Sequence, residues 1–226
     1  EQLKNKLGLN NIPYRIEAYD ISNLGPDYRV GSMVVMEDGL SKPSMYRKFH
    51  IKSFQGQDDF KSMEEVLFRR LKRLTKNTEN DPSFRRKPDL ILIDGGKGQL
   101  SSAKGVIDHL QLDIDIVGLA KREEEIFKPF KKESIMLNKN SEALFTLQNI
   151  RDEAHRFAIN ENRRLRIKNF DKQTLLTIEG VGSISSKKVL DKFKTIEKLS
   201  KATYQDLEEI VSPSIARKIF THFNGL

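Results

Sequence analysis

Asp89-Leu90-Ile91-Leu92-Ile93-Asp94-Gly95-Gly96-Lys97-Gly98 is a short apolar run closed by an acid and two glycines. After its first residue the run is apolar enough to be a strand buried on both faces. The glycines then open a helix with Leu100, Ala103, Ile107 and Leu110 along one side. Upstream, residues 14–22, 29–37 and 43–52 read as three strands, divided by the turn signals Asn23-Leu24-Gly25-Pro26-Asp27 and Glu37-Asp38-Gly39. The first of them, Arg15-Ile16-Glu17-Ala18-Tyr19-Asp20, also ends on a lone Asp. A helix follows over residues 58–74, with Met63, Val66, Leu67, Leu71 and Leu74 as its apolar stripe, and then a polar stretch over 75–87.

Downstream, residues 115–120 read as another strand and 125–137 as a hairpin. A helix over 141–162 carries Ala143, Leu147, Ile150, Ala154 and Phe157 on one stripe, with His155 beside it. Three antiparallel strands, a crossover helix, then strand–helix–strand–helix is the element order of a ribonuclease H-like fold. The expected architecture is therefore an α/β mixed sheet flanked by helices over residues 1–159. The polar, basic segment 160–172 reads as a linker or a frayed helix end. Residues 173–226 read as a small all-α domain of two helix–hairpin–helix repeats, the first around Ile178-Glu179-Gly180-Val181-Gly182 and the second around Val211-Ser212-Pro213.

The bulk numbers narrow the classes. At 226 residues the chain has room for one sizeable domain and a small one. No apolar run approaches the ~20 residues that span a bilayer, so no membrane partner is expected. The chain opens Glu1-Gln2-Leu3-Lys4, without an initiator Met or a signal-peptide pattern, and is expected to be a piece of something longer. It has no cysteine, which excludes disulfides, thiolate metal sites and a Cys nucleophile, and fits a cytoplasmic protein. The net charge of +8 favours a polyanionic partner. Three basic clusters sharpen that: Arg69, Arg70, Lys72 and Arg73; Arg85, Arg86 and Lys87; Arg163, Arg164, Arg166 and Lys168. Each is also compatible with an ordinary solvated helix face.

The candidate chemistry rests on Asp20, Asp94 and His155. If their strands are neighbours, the two carboxylates can share one Mg²⁺ or Mn²⁺, hard cations that prefer oxygen ligands; Mn²⁺ also accepts imidazole. His155 can coordinate that ion, accept a proton from water, or protonate a leaving oxygen. Blander readings stand beside these: Asp94 capping the next helix, His155 as a hydrogen-bonded structural residue, Asp58 and Asp59 capping a helix, Asp152 orienting His155 or facing solvent. Gly95-Gly96-Lys97-Gly98 lacks the spacing of a Walker A loop, and is read instead as a close backbone approach with Lys97 toward a DNA phosphate, or as a structural turn. In the first hairpin, Gly180 and Gly182 are expected at positive φ, so that Gly180, Val181 and Gly182 expose backbone N–H groups to a phosphate without reading bases. Lys187, Lys188 and Lys192 on the following helix add a favourable field. The second hairpin lacks Gly-x-Gly and should grip less.

Tyr19-Asp20-Ile21-Ser22, Gly31-Ser32-Met33-Val34-Val35, Asp58-Asp59-Phe60, Asp94-Gly95-Gly96-Lys97-Gly98-Gln99-Leu100, Gly118-Leu119-Ala120-Lys121 and Arg151-Asp152-Glu153-Ala154-His155-Arg156-Phe157-Ala158 occur in this order along the chain. The chain thereby resembles the C-terminal half of the UvrC family, the incision nucleases of bacterial nucleotide excision repair. The resemblance implies a ribonuclease H-like endonuclease domain with an Asp20–Asp94–His155 catalytic set, followed by tandem helix–hairpin–helix motifs. It implies that Asp59, and less directly Asp58, supports activity. Arg163 and Arg164 of the third basic cluster are expected on the DNA-binding surface. It further implies a 5′ incision beside a lesion in double-stranded DNA, with UvrB as partner and UvrA acting upstream. The family's other nuclease domain and its UvrB-docking segment are not in this stretch, so this stretch alone should lack the 3′ cut and bind UvrB poorly. Two positions depart from the family pattern: Asn23 stands where many members have His, and Val211-Ser212-Pro213 replaces a glycine-containing hairpin. The rival classes are a catalytically dead DNA-binding adaptor and a protein-interaction module. The filled catalytic positions argue against the first, and the basic clusters with Gly180-Val181-Gly182 against the second.

Overall fold

The computed structural model describes residues 1–24, 28–52, 58–76, 79–120 and 123–225. Residues 25–27 of the first expected turn and Lys121 of the Gly118–Lys121 motif lie outside them. The described chain divides into two units, Glu1–Asn162 and Arg163–Leu226.

The first unit is built on a mixed sheet of β1 (Arg15–Leu24), β2 (Tyr28–Glu37), β3 (Leu40–Ser41), β4 (Arg47–His50), β5 (Leu90–Asp94), β6 (Asp115–Leu119) and β7 (Ile126–Phe127). The order across it is β3-β2-β1-β5-β6-β7, with β4 also paired to β2. β1 runs antiparallel to β2 and parallel to β5, and β5 runs parallel to β6. Every residue of β5 is buried, as an apolar run in the middle of a covered parallel sheet should be. The β1–β5 register ends at Tyr19 opposite Ile93, so the next step along both strands reaches Asp20 and Asp94.

Asp38 and Gly39 both take positive φ, 52° and 71°, which is the two-residue hairpin geometry that Asp-Gly favours, and it sets Glu37 opposite Leu40. The third expected strand is shorter than 43–52. A 3-10 turn, Pro43–Met45, opens that segment because proline fixes φ and has no N–H for a ladder, and β4 begins only at Arg47. The hairpin expected over 125–137 is reduced to β7 on the edge of β6 and one bridge between Ile126 and Ile135.

Helices α1 (Gln2–Leu7), α2 (Asp59–Leu74), α3 (Pro82–Arg85), α4 (Lys97–His109) and α5 (Glu142–Leu176) surround the sheet or extend from it. α2 buries Met63, Val66, Leu67 and Leu71 and packs on α4, which buries Leu100, Ala103, Val106 and Ile107. α5 lays Ala143, Leu147, Ile150 and Ala154 into the same core. Each large side chain so buried contributes ~1.5–3 kcal/mol. Residues 160–172, expected as a linker or frayed end, are helical: α5 runs unbroken through them. Arg163-Arg164-Leu165-Arg166 and the residues after it are good helix formers with no glycine or proline among them, so nothing local stops the helix.

Four arginines of the first two basic clusters take part in internal structure. Arg70 is fully buried and grips Glu17 with Nε at 3.1 Å and Nη2 at 2.8 Å. Its remaining donors reach the carbonyls of Phe84 and Arg86. Arg15 donates to the same Glu17 and to Glu37, and the Tyr19 hydroxyl donates to Glu17 at 2.7 Å. Burial, with the Glu17 carboxylate beside it, pushes the Tyr19 hydroxyl well above its ordinary value and keeps it a donor. Arg69 pairs with Glu65, Arg73 with Glu79 and Arg86 with Glu37. These arginines fasten α2 and the segment around α3 to the sheet.

The second unit continues with α6 (Ser183–Phe193), α7 (Ile196–Leu199), α8 (Tyr204–Glu208) and α9 (Pro213–Asn224) around a core of Leu175, Ile178, Val181, Val189, Leu199, Leu207 and Ile219. The short α7 was not visible in the sequence pattern. Thr203 closes a capping box with Asp206 at the start of α8. Among the described residues no helix is long and apolar enough to cross a membrane.

Candidate active site

Asp20, Asp94 and His155 come together. One ligand atom from each lies within 4.8 Å of the others. The two carboxylates are 5% and 6% exposed, held on neighbouring strands whose backbones the sheet immobilises. His155 arrives from α5 with its side chain 45% exposed, and its Nδ1 lies 3.3 Å from Asp20 Oδ2. The Ser22 hydroxyl donates to the same oxygen at 3.3 Å. Two buried carboxylate oxygens and a solvent-facing imidazole form an O, O, N donor set suited to a hard divalent cation. Asp94 does not cap the following helix: the N-cap of α4 is Gly96, without a side-chain cap.

A serine that the sequence reading passed over ties these pieces together. Ser32 is opposite Asp20 in the β1–β2 register and is fully buried. Its hydroxyl lies 3.2 Å from the carbonyl oxygen of Ala154, the residue before His155, and 3.4 Å from that of Asp20. Lys48, next across the sheet from Ser32, pairs with the buried Glu161 of α5. Ser32 stands in the near-continuous apolar run of β2, and only the tertiary packing shows which helix turn it meets.

The remaining predicted residues are placed elsewhere. Asp58 caps α2, accepting from the N–H groups of Phe60 and Lys61, and those bonds hold its carboxyl below the ordinary aspartate value. Asp59 is outside the three-donor cluster. It accepts from Asn23 Nδ2 at 3.1 Å, and the two line a cavity of about 620 Å³ with Asp58, Phe60 and Gln99. Asn23 thus holds an acid near the carboxyl end of β1. Asp152 pairs with Arg151, which also reaches Glu124. Lys97 donates to the Lys132 carbonyl at 2.7 Å and sits 4.8 Å over the Phe127 ring.

In the second unit Gly180 has φ +82°, but Gly182 has φ −82° and serves as the N-cap of α6, so only one of the two glycines needs the left-handed region. The Val181 N–H donates to the Ile178 carbonyl at 3.0 Å, which closes the turn and leaves that group unavailable to a phosphate. Lys187 and Lys188 are exposed on α6, as are Arg163 and Arg164 on α5. Lys192 is held by Glu209 and the Asp206 carbonyl. The second repeat places Pro213 in the first turn of α9, removing one N–H, and instead brings Lys218 Nζ beside Gly180, 3.1 Å from where a side-chain carbon there would sit.

The family described as the UvrC RNAse H endonuclease domain matches residues 4–159, and the helix-hairpin-helix motif matches 173–225. The chain belongs to the UvrC family. UvrABC system protein C of Methanococcoides burtonii is 44% identical over 99% of this chain and 37% of its own length. The protein of the same name from Chlorobaculum tepidum is 43% identical over 100% of this chain and 35% of its own length. The chain therefore spans about a third of the UvrC relatives it matches. A solved structure of Ciona intestinalis endonuclease V with inosine-containing DNA is a distant likeness, with TM-score 0.45 and 14% identity over 73% of this chain and 94% of that one.

Proposed function

We propose that this chain hydrolyses a DNA phosphodiester with the aid of Mg²⁺ or Mn²⁺, and that within a longer UvrC protein it makes the incision 5′ of a lesion in nucleotide excision repair. The convergence of Asp20, Asp94 and His155 within 4.8 Å, inside a UvrC endonuclease domain, carries the reading.

Asp20 and Asp94 would hold the cation, with His155 as the third donor. Bound there, it supplies Lewis acidity that makes water more acidic and offsets charge on the scissile phosphate. Asp20 Oδ2, 3.3 Å from His155 Nδ1, would fix the ring's orientation in the tautomer that carries its proton on Nδ1. The ring nitrogen away from Asp20 would, when it is not bound to the cation, pass a proton between the reacting oxygen and bulk water. Asp59, hydrogen-bonded by Asn23 at the carboxyl end of β1, would add negative charge there and tie the start of α2 to that strand. Lys187 and Lys188, the exposed first-turn N–H groups of α6, and Arg163 and Arg164 would hold phosphates without sequence preference. UvrB, with UvrA upstream, are the partners that the relatives' name, UvrABC system protein C, points to.

The test is nicking of supercoiled plasmid by the chain in Mn²⁺, Mg²⁺ or chelator, beside His155→Ala. The expected result is nicking by the parent chain only, abolished by chelator. Nicking that persists in chelator would overturn the metal dependence. Equal nicking by His155→Ala would overturn the site.

A further inference from the structure

A cavity of about 210 Å³ opens between α4 and the segment after β7, lined by Lys97, Lys104, Lys128, Lys131 and Phe130. Phe130 is 86% exposed and has φ +61°, a backbone conformation that a bulky side chain rarely adopts. Packing does not explain it, because the ring contributes nothing to the core. Three of the four lysines around it are held in position. Lys128 Nζ donates to the carbonyls of Leu7 and Gly8 at 2.8 and 3.1 Å, and Lys97 Nζ donates to that of Lys132. Lys104 Nζ lies 5.8 Å from the Phe130 ring centre and pairs with Asp108. Carbonyl partners orient an ammonium without cancelling its charge, so most of the positive field survives.

The cavity sits at the catalytic end of the sheet. Lys97 begins α4 three residues after Asp94. β7 pairs with Gly118 and Leu119 at the carboxyl end of β6, and Leu119 is opposite Asp94.

We propose that this surface holds a nucleotide of the DNA strand leaving the catalytic cluster, an unpaired base stacked on Phe130 and the adjoining phosphates against Lys97, Lys128 and Lys131. The proposal rests on the nuclease reading above. An acidic peptide would meet the same lysines, but it offers no flat π-face to match an outward ring, whereas every base does. Lysines alternating with a displayed aromatic are what sequence-neutral capture of single-stranded nucleic acid requires.

The chain has no tryptophan, so Phe130→Trp introduces a single indole reporter. That variant is titrated with oligothymidylate and, separately, with polyglutamate, while parent and Phe130→Ala chains are compared for oligothymidylate affinity. The expected result is saturable quenching of the indole by oligothymidylate alone and about a tenfold loss of affinity in Phe130→Ala. Lys131→Ala should reduce the salt slope of binding by about one. Because the ring is exposed, the melting temperature of Phe130→Ala should match the parent's. An unquenched indole, or quenching by polyglutamate equal to that by oligothymidylate, would overturn the proposal. A chain that shows the quenching yet cuts neither plasmid nor a UvrB-loaded duplex already nicked 3′ of a lesion would sink the nuclease reading and leave the nucleotide surface standing. Nicking without quenching would sink the surface alone.

Discussion

The hydroxyl of Ser32 reaches the carbonyl of Ala154 at 3.2 Å, joining the strand opposite Asp20 to the helix turn that carries His155. The distance between the aspartates is set by the sheet, but the height and rotation of His155 above them are set by where α5 docks. Ser32→Ala should lower stability by about 1 kcal/mol, the usual effect of one buried hydrogen bond. Its effect on incision should be larger, on the order of tenfold in kcat with little change in KM for DNA, because small displacements of a reacting group are costly. Equal losses in KM and kcat would mark Ser32 as structural only.

The buried Glu17–Arg70 pair predicts a second outcome. Arg70→Met should destabilise the first unit by about 3–5 kcal/mol, since Glu17 would be left charged with only Arg15 and Tyr19 as partners. Adding Glu17→Gln should recover part of that loss. Urea denaturation of the three chains decides it. If Arg70→Met instead unfolds like the parent and binds DNA less, Arg70 belongs to the DNA surface.

The first hairpin distinguishes its glycines. Gly180→Ala forces a side chain to φ +82° and should cost ~1–2 kcal/mol, with weaker DNA binding. Gly182→Ala, at φ −82° with open space around it, should be tolerated. Thermal unfolding and anisotropy on a labelled duplex check both; equal damage from the two would contradict the turn geometry.

Acid stability follows from Asp81. The Arg47 guanidinium hydrogen-bonds its carboxylate and lowers its pKa to about 2. A depressed folded-state value stabilises above the unfolded value near 3.9 and loses that contribution as pH falls toward 2. The contribution is on the order of 2 kcal/mol, reduced by the pair's partial exposure. Asp81→Asn should therefore weaken the fold at pH 6 and flatten the loss between pH 4 and 2, as measured by urea midpoints.

Much of the first unit was readable because its signals are local. The apolar run before Asp94, the Asp38-Gly39 hairpin and the stripes of α2 and α4 each declare themselves within a few residues. Six-residue α1 and four-residue α3 and α7 are too short to show a period. The segment 160–172 reads as a linker or a frayed helix end because it is polar and basic, and in the helix its Ile167 and Phe170 stay exposed instead of forming a core stripe. Arg70 of the first basic cluster is not legible as a core residue for a different reason. Arg70 meets Glu17 across 53 positions of sequence, a pairing that only the folded sheet reveals. The same holds for Lys97 with Lys132, for Ser32 with Ala154, and for Lys218 beside Gly180.

The most direct test of the account is incision of a lesion-bearing duplex already nicked 3′ of the damage and loaded with UvrA and UvrB, in Mg²⁺, by parent, Asp20→Asn and Asp94→Asn chains. The account predicts a cut on the 5′ side by the parent alone, with DNA binding kept in both variants and metal binding by calorimetry lost. A 5′ cut by Asp20→Asn at a rate near the parent's would contradict it.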